Sequence, residues 1–156
     1  MVTVTFEYHF RQPFGVPART AFDWCTDFEP EDAALFSSTA RRRVQPLAPN
    51  LLIMTDVTYP NGRRRTISRL VRIFPERMAW TSTHLNGPFR HSQFWYRVVP
   101  NGRTRSHLEF TGLKVETAAR PLTVKELARR AAEERRVDAT VWRKAFAPAL
   151  EADGHD

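Results

Sequence analysis

The first residues, "VTVTFEYHFR", alternate polar and apolar, and this period of two predicts a strand over residues 2–11. "QPFGVP" (12–17) interrupts it with two prolines and a glycine and is expected to be a loop. Over 18–28 the apolar positions Ala21, Phe22, Trp24, Cys25 and Phe28 fall at helical spacing. "EPEDAALF" starts a second short helix with Pro30 in its first turn. From about 39 to 115 strand-like runs alternate with turn signals at Pro49-Asn50, Pro60-Asn61-Gly62, Pro75, Asn86-Gly87 and Pro100-Asn101-Gly102. Six strands are expected there, near 39–47, 51–59, 64–74, 77–84, 89–99 and 103–115.

Residues 122–150 read as one long helix. Thr123 and Glu126 have the spacing of a capping box, and Leu122 and Leu127 that of a hydrophobic staple. One face carries Ala128, Ala132, Ala139, Trp142, Phe146 and Leu150, with Arg135 as its charged member. Pro148 is expected to kink or end the helix, leaving 151–156 as a flexible tail. The order is strand, two short helices, six strands, long helix. A curved antiparallel sheet of seven strands can pack its concave face on that helix. The helix's Ala-rich middle leaves room where a close-packed core uses larger side chains.

Composition narrows the class. The 156 residues hold 42% apolar and 12% aromatic side chains, enough for one domain (1–150) with a core. No run has the length of a membrane span, so no stable membrane insertion is expected. The N-terminus reads as a strand, not a signal peptide. A single cysteine, Cys25, leaves no internal disulfide. Together these point to a cytoplasmic protein. The net charge of +7 is carried mostly by arginine, with "RRR" at both 41–43 and 63–65. No zinc-finger spacing, RNP motif or helix-turn-helix accompanies the charge, so specific nucleic-acid binding is not expected.

Three segments resemble a known family. "RTAFDWCTDFEPEDAAL" (19–35), "IFPERMAWTSTH" (73–84) and "VVPNGRTRSHLEFTG" (98–112) are similar to the START-like superfamily, which includes the birch-pollen-allergen family and the polyketide cyclase/dehydrase and lipid-transport family. The resemblance implies an α+β helix-grip fold: a seven-stranded antiparallel sheet wrapped around a long C-terminal helix, with two short helices after the first strand. It implies a shared cavity and no particular reaction.

The last hairpin fixes which side chains face that cavity. A three-residue loop at Pro100-Asn101-Gly102 pairs Val98 with Thr104, Tyr96 with Ser106, Phe94 with Leu108 and Ser92 with Phe110. A two-residue loop sets Phe94 against Glu109 and Tyr96 against His107, and reverses every facing. The first register predicts Ser92, Phe94, Tyr96, Leu108 and Phe110 inward. His91, Gln93, Trp95, Arg97, Arg105, His107 and Glu109 then face out. On the preceding strand Met78, Trp80, Ser82 and His84 are assigned inward. Strands 51–59 and 64–74 stay ambiguous: Met54, Asp56, Ser68 and Leu70 are grouped on one face, and Ile53, Val57, Ile67 and Val71 on the other.

The predicted ligand-binding set is therefore Met78, Trp80, Ser82, His84, Ser92, Phe94, Tyr96, Leu108, Phe110 and Trp142. His84, an imidazole that titrates near neutral pH, is a candidate general acid or base, with Tyr96 and Asp56 as further candidates for moving protons. Each has a plainer reading as a hydrogen-bonded wall residue. The three histidines lack metal-binding spacing, and the acidic run Asp23, Asp27, Glu29, Glu31, Asp32 lacks the EF-hand order, so no metal is expected. Glu134 and Asp138 read as a solvated face. Without a P-loop, Gly-x-Ser-x-Gly or Gly-x-Gly-x-x-Gly motif, no cofactor is expected. The expected partner is a hydrophobic small molecule: a lipid, fatty acid or polyketide. The alternatives are a polyketide cyclase/aromatase-like enzyme and a co-chaperone-like interaction module. An outward Trp95 suggests a homodimer contact.

Overall fold

The computed structural model describes residues 1–35 and 37–154. The elements are β1 (Val2–Phe14), α1 (Ala18–Cys25), a 3-10 helix (Pro30–Leu35), β2 (Arg41–Ala48), β3 (Leu51–Thr58), β4 (Arg65–Phe74), β5 (Ala79–His84), β6 (Gln93–Pro100), β7 (Ser106–Ala118), α2 (Val124–Val141), a π-helical turn (Trp142–Phe146) and α3 (Ala147–Gly154). The seven strands form one antiparallel sheet in the order β1-β7-β6-β5-β4-β3-β2. This is the expected α+β helix-grip architecture.

Four local features depart from the sequence reading. The first strand runs to Phe14, through the expected loop. β1 is a sheet edge, so Pro13 needs no donor on its open side. The second short helix is a six-residue 3-10 helix, and Phe36, its expected last residue, lies outside the described residues. At the other end Pro148 does not stop the helix. The Ala147 N–H bonds the Trp142 carbonyl, five residues back, so a wide turn absorbs the proline and α3 continues to Gly154. The expected tail is therefore ordered up to 154. Glu151 accepts the Gly15 N–H at 2.8 Å, and Asp153 accepts the Trp24 Nε1–H at 2.8 Å. Residues 155–156 lie outside the described residues.

The last hairpin closes through residues 101–105, with Pro100 opposite Ser106. Val98 pairs with Leu108, Tyr96 with Phe110 and Phe94 with Gly112. Each residue of β6 thus meets a partner four positions further on than the three-residue loop implies. A slip of four preserves the pleat, so Phe94, Tyr96, Leu108 and Phe110 still point inward. On β3 and β4, Met54 pairs with Arg69 and Asp56 with Ile67. Met54 and Asp56 therefore share their face with Ile67, Arg69 and Val71, which corrects the sequence grouping. Ser68 is on the outer face, opposite Thr55, with the two hydroxyls 3.0 Å apart.

The Thr123–Glu126 capping box forms as expected. Helix α2 nevertheless buries none of its residues fully. Ala128 and Ala132 are exposed, while Leu127, Ala131, Glu134 and Asp138 are half-buried. The face against the sheet is thus turned from the alanine stripe towards two acids. They are matched by the sheet: Lys114 Nζ lies 3.2 Å from Glu134, and the Tyr8 hydroxyl donates to Asp138 at 2.5 Å. Arg130 adds a bidentate pair to Glu116 at 3.0 Å. The opposite sheet edge, β2, is exposed along most of its length and carries Arg41, Arg43, Pro46 and a bulge between Pro46 and Ala48.

Candidate functional site: an aromatic cavity with a buried charge relay

Between the concave sheet and the helix lies a cavity of about 430 Å³. Its sheet wall comes from β2 to β7, its helical wall from Asp138, Val141, Trp142 and Phe146, and one end from Trp24, Cys25 and Phe28. Nine of the lining residues are Phe, Trp or Tyr. Trp80 and Tyr96, directly paired across β5 and β6, stack at 4.8 Å with their planes 3° apart. Phe110 meets the Tyr96 ring edge-on at 5.2 Å, and Trp142 closes over Tyr96 at 6.1 Å. Such edge and offset contacts hold rings in fixed orientations.

Beside this apolar part lies a chain of polar contacts. Asp56 accepts two hydrogen bonds from Arg42, Nε at 2.7 Å and Nη2 at 3.0 Å, and one from Arg69 Nη1 at 2.6 Å. The Arg42 side chain is only 6% exposed. Burial pushes the Asp56 carboxyl up, but the two guanidiniums outweigh it and hold it below the usual carboxylate range. The Arg69 Nε–H then donates to His84 Nε2 at 3.2 Å. Burial, with the charges of Arg69 and Lys114, pushes His84 down to about 3. His84 is therefore neutral at pH 7, not poised near neutrality as its residue type suggests.

Two polar atoms at this end, Ser82 Oγ and His84 Nδ1, are buried with no hydrogen-bond partner among the described residues. Lys114 lines the same cavity, its Nζ 3.8 Å from the centroid of the Phe89 ring. Asp138 lies on the helical wall. Burial raises its carboxyl, and the Tyr8 hydrogen bond only partly offsets that. Tyr8 reaches it because Gly112 lies directly opposite on β7. A Cβ there would sit 2.7 Å from Tyr8 Cζ, so only glycine lets the ring lean across.

Of the residues predicted to contact a ligand, Trp80, Ser82, His84, Phe94, Tyr96, Phe110 and Trp142 line the cavity. Met78, Ser92 and Leu108 do not. Met78 adopts a left-handed backbone (φ 48°) at the turn before β5 and packs beside the core. Ser92 lies outside β6, fully buried, where its Oγ accepts the Val115 N–H at 2.8 Å. Leu108 is sealed in the core beyond the cavity. Asp56 lines the cavity, but its oxygens are taken up by the two arginines. His91 falls in the turn before β6 with φ 75°. His107 is on the outer face as expected, yet buried, with Nδ1 3.0 Å from Asn101 Oδ1. Trp95 faces out, 40% exposed. Arg42, Arg69, Phe89, Lys114 and Asp138 are among the further lining residues that were not in the sequence-based set.

A curved antiparallel sheet closed by a C-terminal helix over an internal cavity is the helix-grip fold. Comparison with solved structures bears this out. The ZhuI aromatase/cyclase from Streptomyces sp. R1128 superposes with a TM-score of 0.67 at 16% identity, over 99% of this chain and 94% of that one. Norcoclaurine synthase from Thalictrum flavum, solved with dopamine and hydroxybenzaldehyde, gives 0.67 at 11% identity over 96% and 86%. The di-domain aromatase/cyclase StfQ of the steffimycin pathway gives 0.68 at 13% identity over 94% of this chain and 51% of that one. Identities this low establish the fold alone. No protein-family model and no curated protein sequence matches the chain. Among the described residues, no helix is long and apolar enough to cross a membrane, and no group of three or more His, Cys, Asp or Glu gathers as metal ligands.

Proposed function

We propose that the protein binds a hydrophobic, ring-bearing small molecule in this cavity. The observation that carries the reading is the pair of buried, unpartnered polar atoms, Ser82 Oγ and His84 Nδ1, at one end of an aromatic-walled space. A buried polar group without a partner costs about 1–3 kcal/mol, and a ligand that meets it removes that cost. A mostly apolar pocket with a few convergent polar groups is the usual make-up of a small-molecule site. Native mass spectrometry of the purified protein, followed by thermal melts with two- and three-ring aromatic compounds, tests it. A bound mass, or a rise in Tm that grows with ligand concentration, is expected. No bound mass and unchanged melts with every compound would remove the reading.

A second reading, a polyketide cyclase/aromatase-like enzyme, is favoured by Asp138. A carboxyl pushed up by burial, held by Tyr8 and lining the cavity near Tyr96, is suited to moving a proton. In that reading Tyr96 keeps the role the sequence gave it, and Asp138 takes the one first given to His84 and Asp56. The ZhuI and StfQ structures share the fold with this chain and supply the reaction class.

A further inference from the structure

We infer that the cavity selects a planar aromatic ligand bearing an anionic oxygen, and that His84 reads that oxygen as a fixed N–H donor. This rests on the binding reading above and adds the ligand's chemical class. The argument starts at Asp56. Its carboxylate takes one N–H of Arg69, which orients the guanidinium. The Arg69 Nε–H then points at His84 Nε2. A guanidinium has donors and no acceptor, so the nitrogen facing it must be unprotonated. A neutral imidazole carries its one proton on the other nitrogen. His84 is therefore locked as the Nδ1–H tautomer, and that N–H is the atom left without a partner.

Only an acceptor satisfies a donor. Ser82 stands two residues earlier on the same face of β5, and its hydroxyl, equally unpartnered, can donate beside it. The acceptor is an anion because the charges nearest the imidazole are positive. Arg69 contacts it, and the Lys114 ammonium, which pairs with Glu134 at 3.2 Å, lies 5.9 Å from the centroid of Phe94, whose ring is 5.3 Å from that of His84. Asp138, on the helical wall, is taken up by the Tyr8 hydroxyl. Asp56, the carboxylate in contact with Arg69, is already held by two arginines. Trp80, Tyr96, Phe94 and Phe110 supply flat walls for the ring system. The predicted ligand is an aryl carboxylate, phenolate or enolate, with its oxygen on Ser82 and His84.

Matched probes test this in titrations of the full chain at pH 7: 2-naphthoate, 2-acetylnaphthalene, naphthalene and 2-naphthylmethylamine. The expected order of affinity is naphthoate first, acetylnaphthalene second, naphthalene third and the ammonium probe last. His84→Phe is expected to weaken naphthoate about tenfold, the loss of one charge-assisted hydrogen bond, and to leave naphthalene unchanged. Long-range nitrogen–proton NMR of the imidazole is expected to show the proton on Nδ1. Equal binding of all four probes, or a proton on Nε2, would overturn the inference while leaving the binding reading in place. If none of the probes binds, both fall. Should His84→Phe fold poorly, Ser82→Ala gives the same selective loss, and an unchanged preference for naphthoate in it counts against the proposal.

Discussion

At the scale of the residue, Asp56 is the most exposed to single substitutions. It pairs with Arg69 and accepts two hydrogen bonds from a nearly inaccessible Arg42. Asp56→Asn keeps the shape and removes the charge, leaving a buried guanidinium facing a neutral amide. Breaking one side of a buried pair costs about 3–5 kcal/mol, and a drop of that size is expected in urea unfolding at pH 7. The sign with pH follows from the lowered carboxyl. Its contribution is present above about pH 4, the unfolded value, and is lost as pH falls through the lower folded value. Arg42 was legible in part. Three consecutive arginines in a strand cannot all face out, and Val44, two positions on, marks the inward parity. Lys114 follows the same rule from Leu108 and Phe110. What a sequence does not show is that the inward charges converge, because Arg42, Asp56 and Arg69 come together only through the β2–β3–β4 register.

At the scale of the element, α2 is attached to the sheet chiefly through polar contacts. No residue of it is fully buried, whereas Tyr8–Asp138, Lys114–Glu134 and Arg130–Glu116 tie it to β1 and β7. Tyr8→Phe removes one hydrogen bond to a charged group, worth about 1.5–3 kcal/mol. The expected outcome is faster amide exchange along α2, with the amides of the β1–β7 ladder less affected, as mass spectrometry of exchanged peptides can show. Exchange that rises equally in both would mean the bond does not anchor the helix. The start of this helix was plain from its capping box. Its facing was not. An alanine stripe reads as the packed side only when the acids beside it lack partners, and here the partners sit twenty residues away on β7 and at the other end of the chain on β1.

At the scale of the whole molecule, two groups pull in opposite directions as pH falls from 7 to 5. Unfolded, His84 takes up a proton near pH 6.5, roughly the free value. Folded, it does so only at about 3. Between those values the unfolded state binds the extra proton, so stability falls as pH falls, by at most about 1.4 kcal/mol per pH unit. Asp27 works the other way. Burial, with the nearby Asp32 and Glu29 charges against the Glu29 N–H, raises it to about 6. The gain from its proton is present at low pH and is lost as pH rises through about 6. Asp27 is partly solvated, so its share is the smaller. The urea midpoint is expected to drop from pH 7 to pH 5. In His84→Phe the drop should shrink, and in Asp27→Asn it should steepen.

The hairpin between β6 and β7 carries one more consequence. Pairing through a five-residue loop and pairing through a three-residue loop present the same side chains to the cavity, because both loops are odd. An even loop would put Trp95 and Arg97 inside and expel Phe94 and Tyr96. For this sequence the cavity is thus protected by parity: a slip of the β6–β7 register by an even number of residues leaves the wall intact, while a slip by a single residue would turn it inside out.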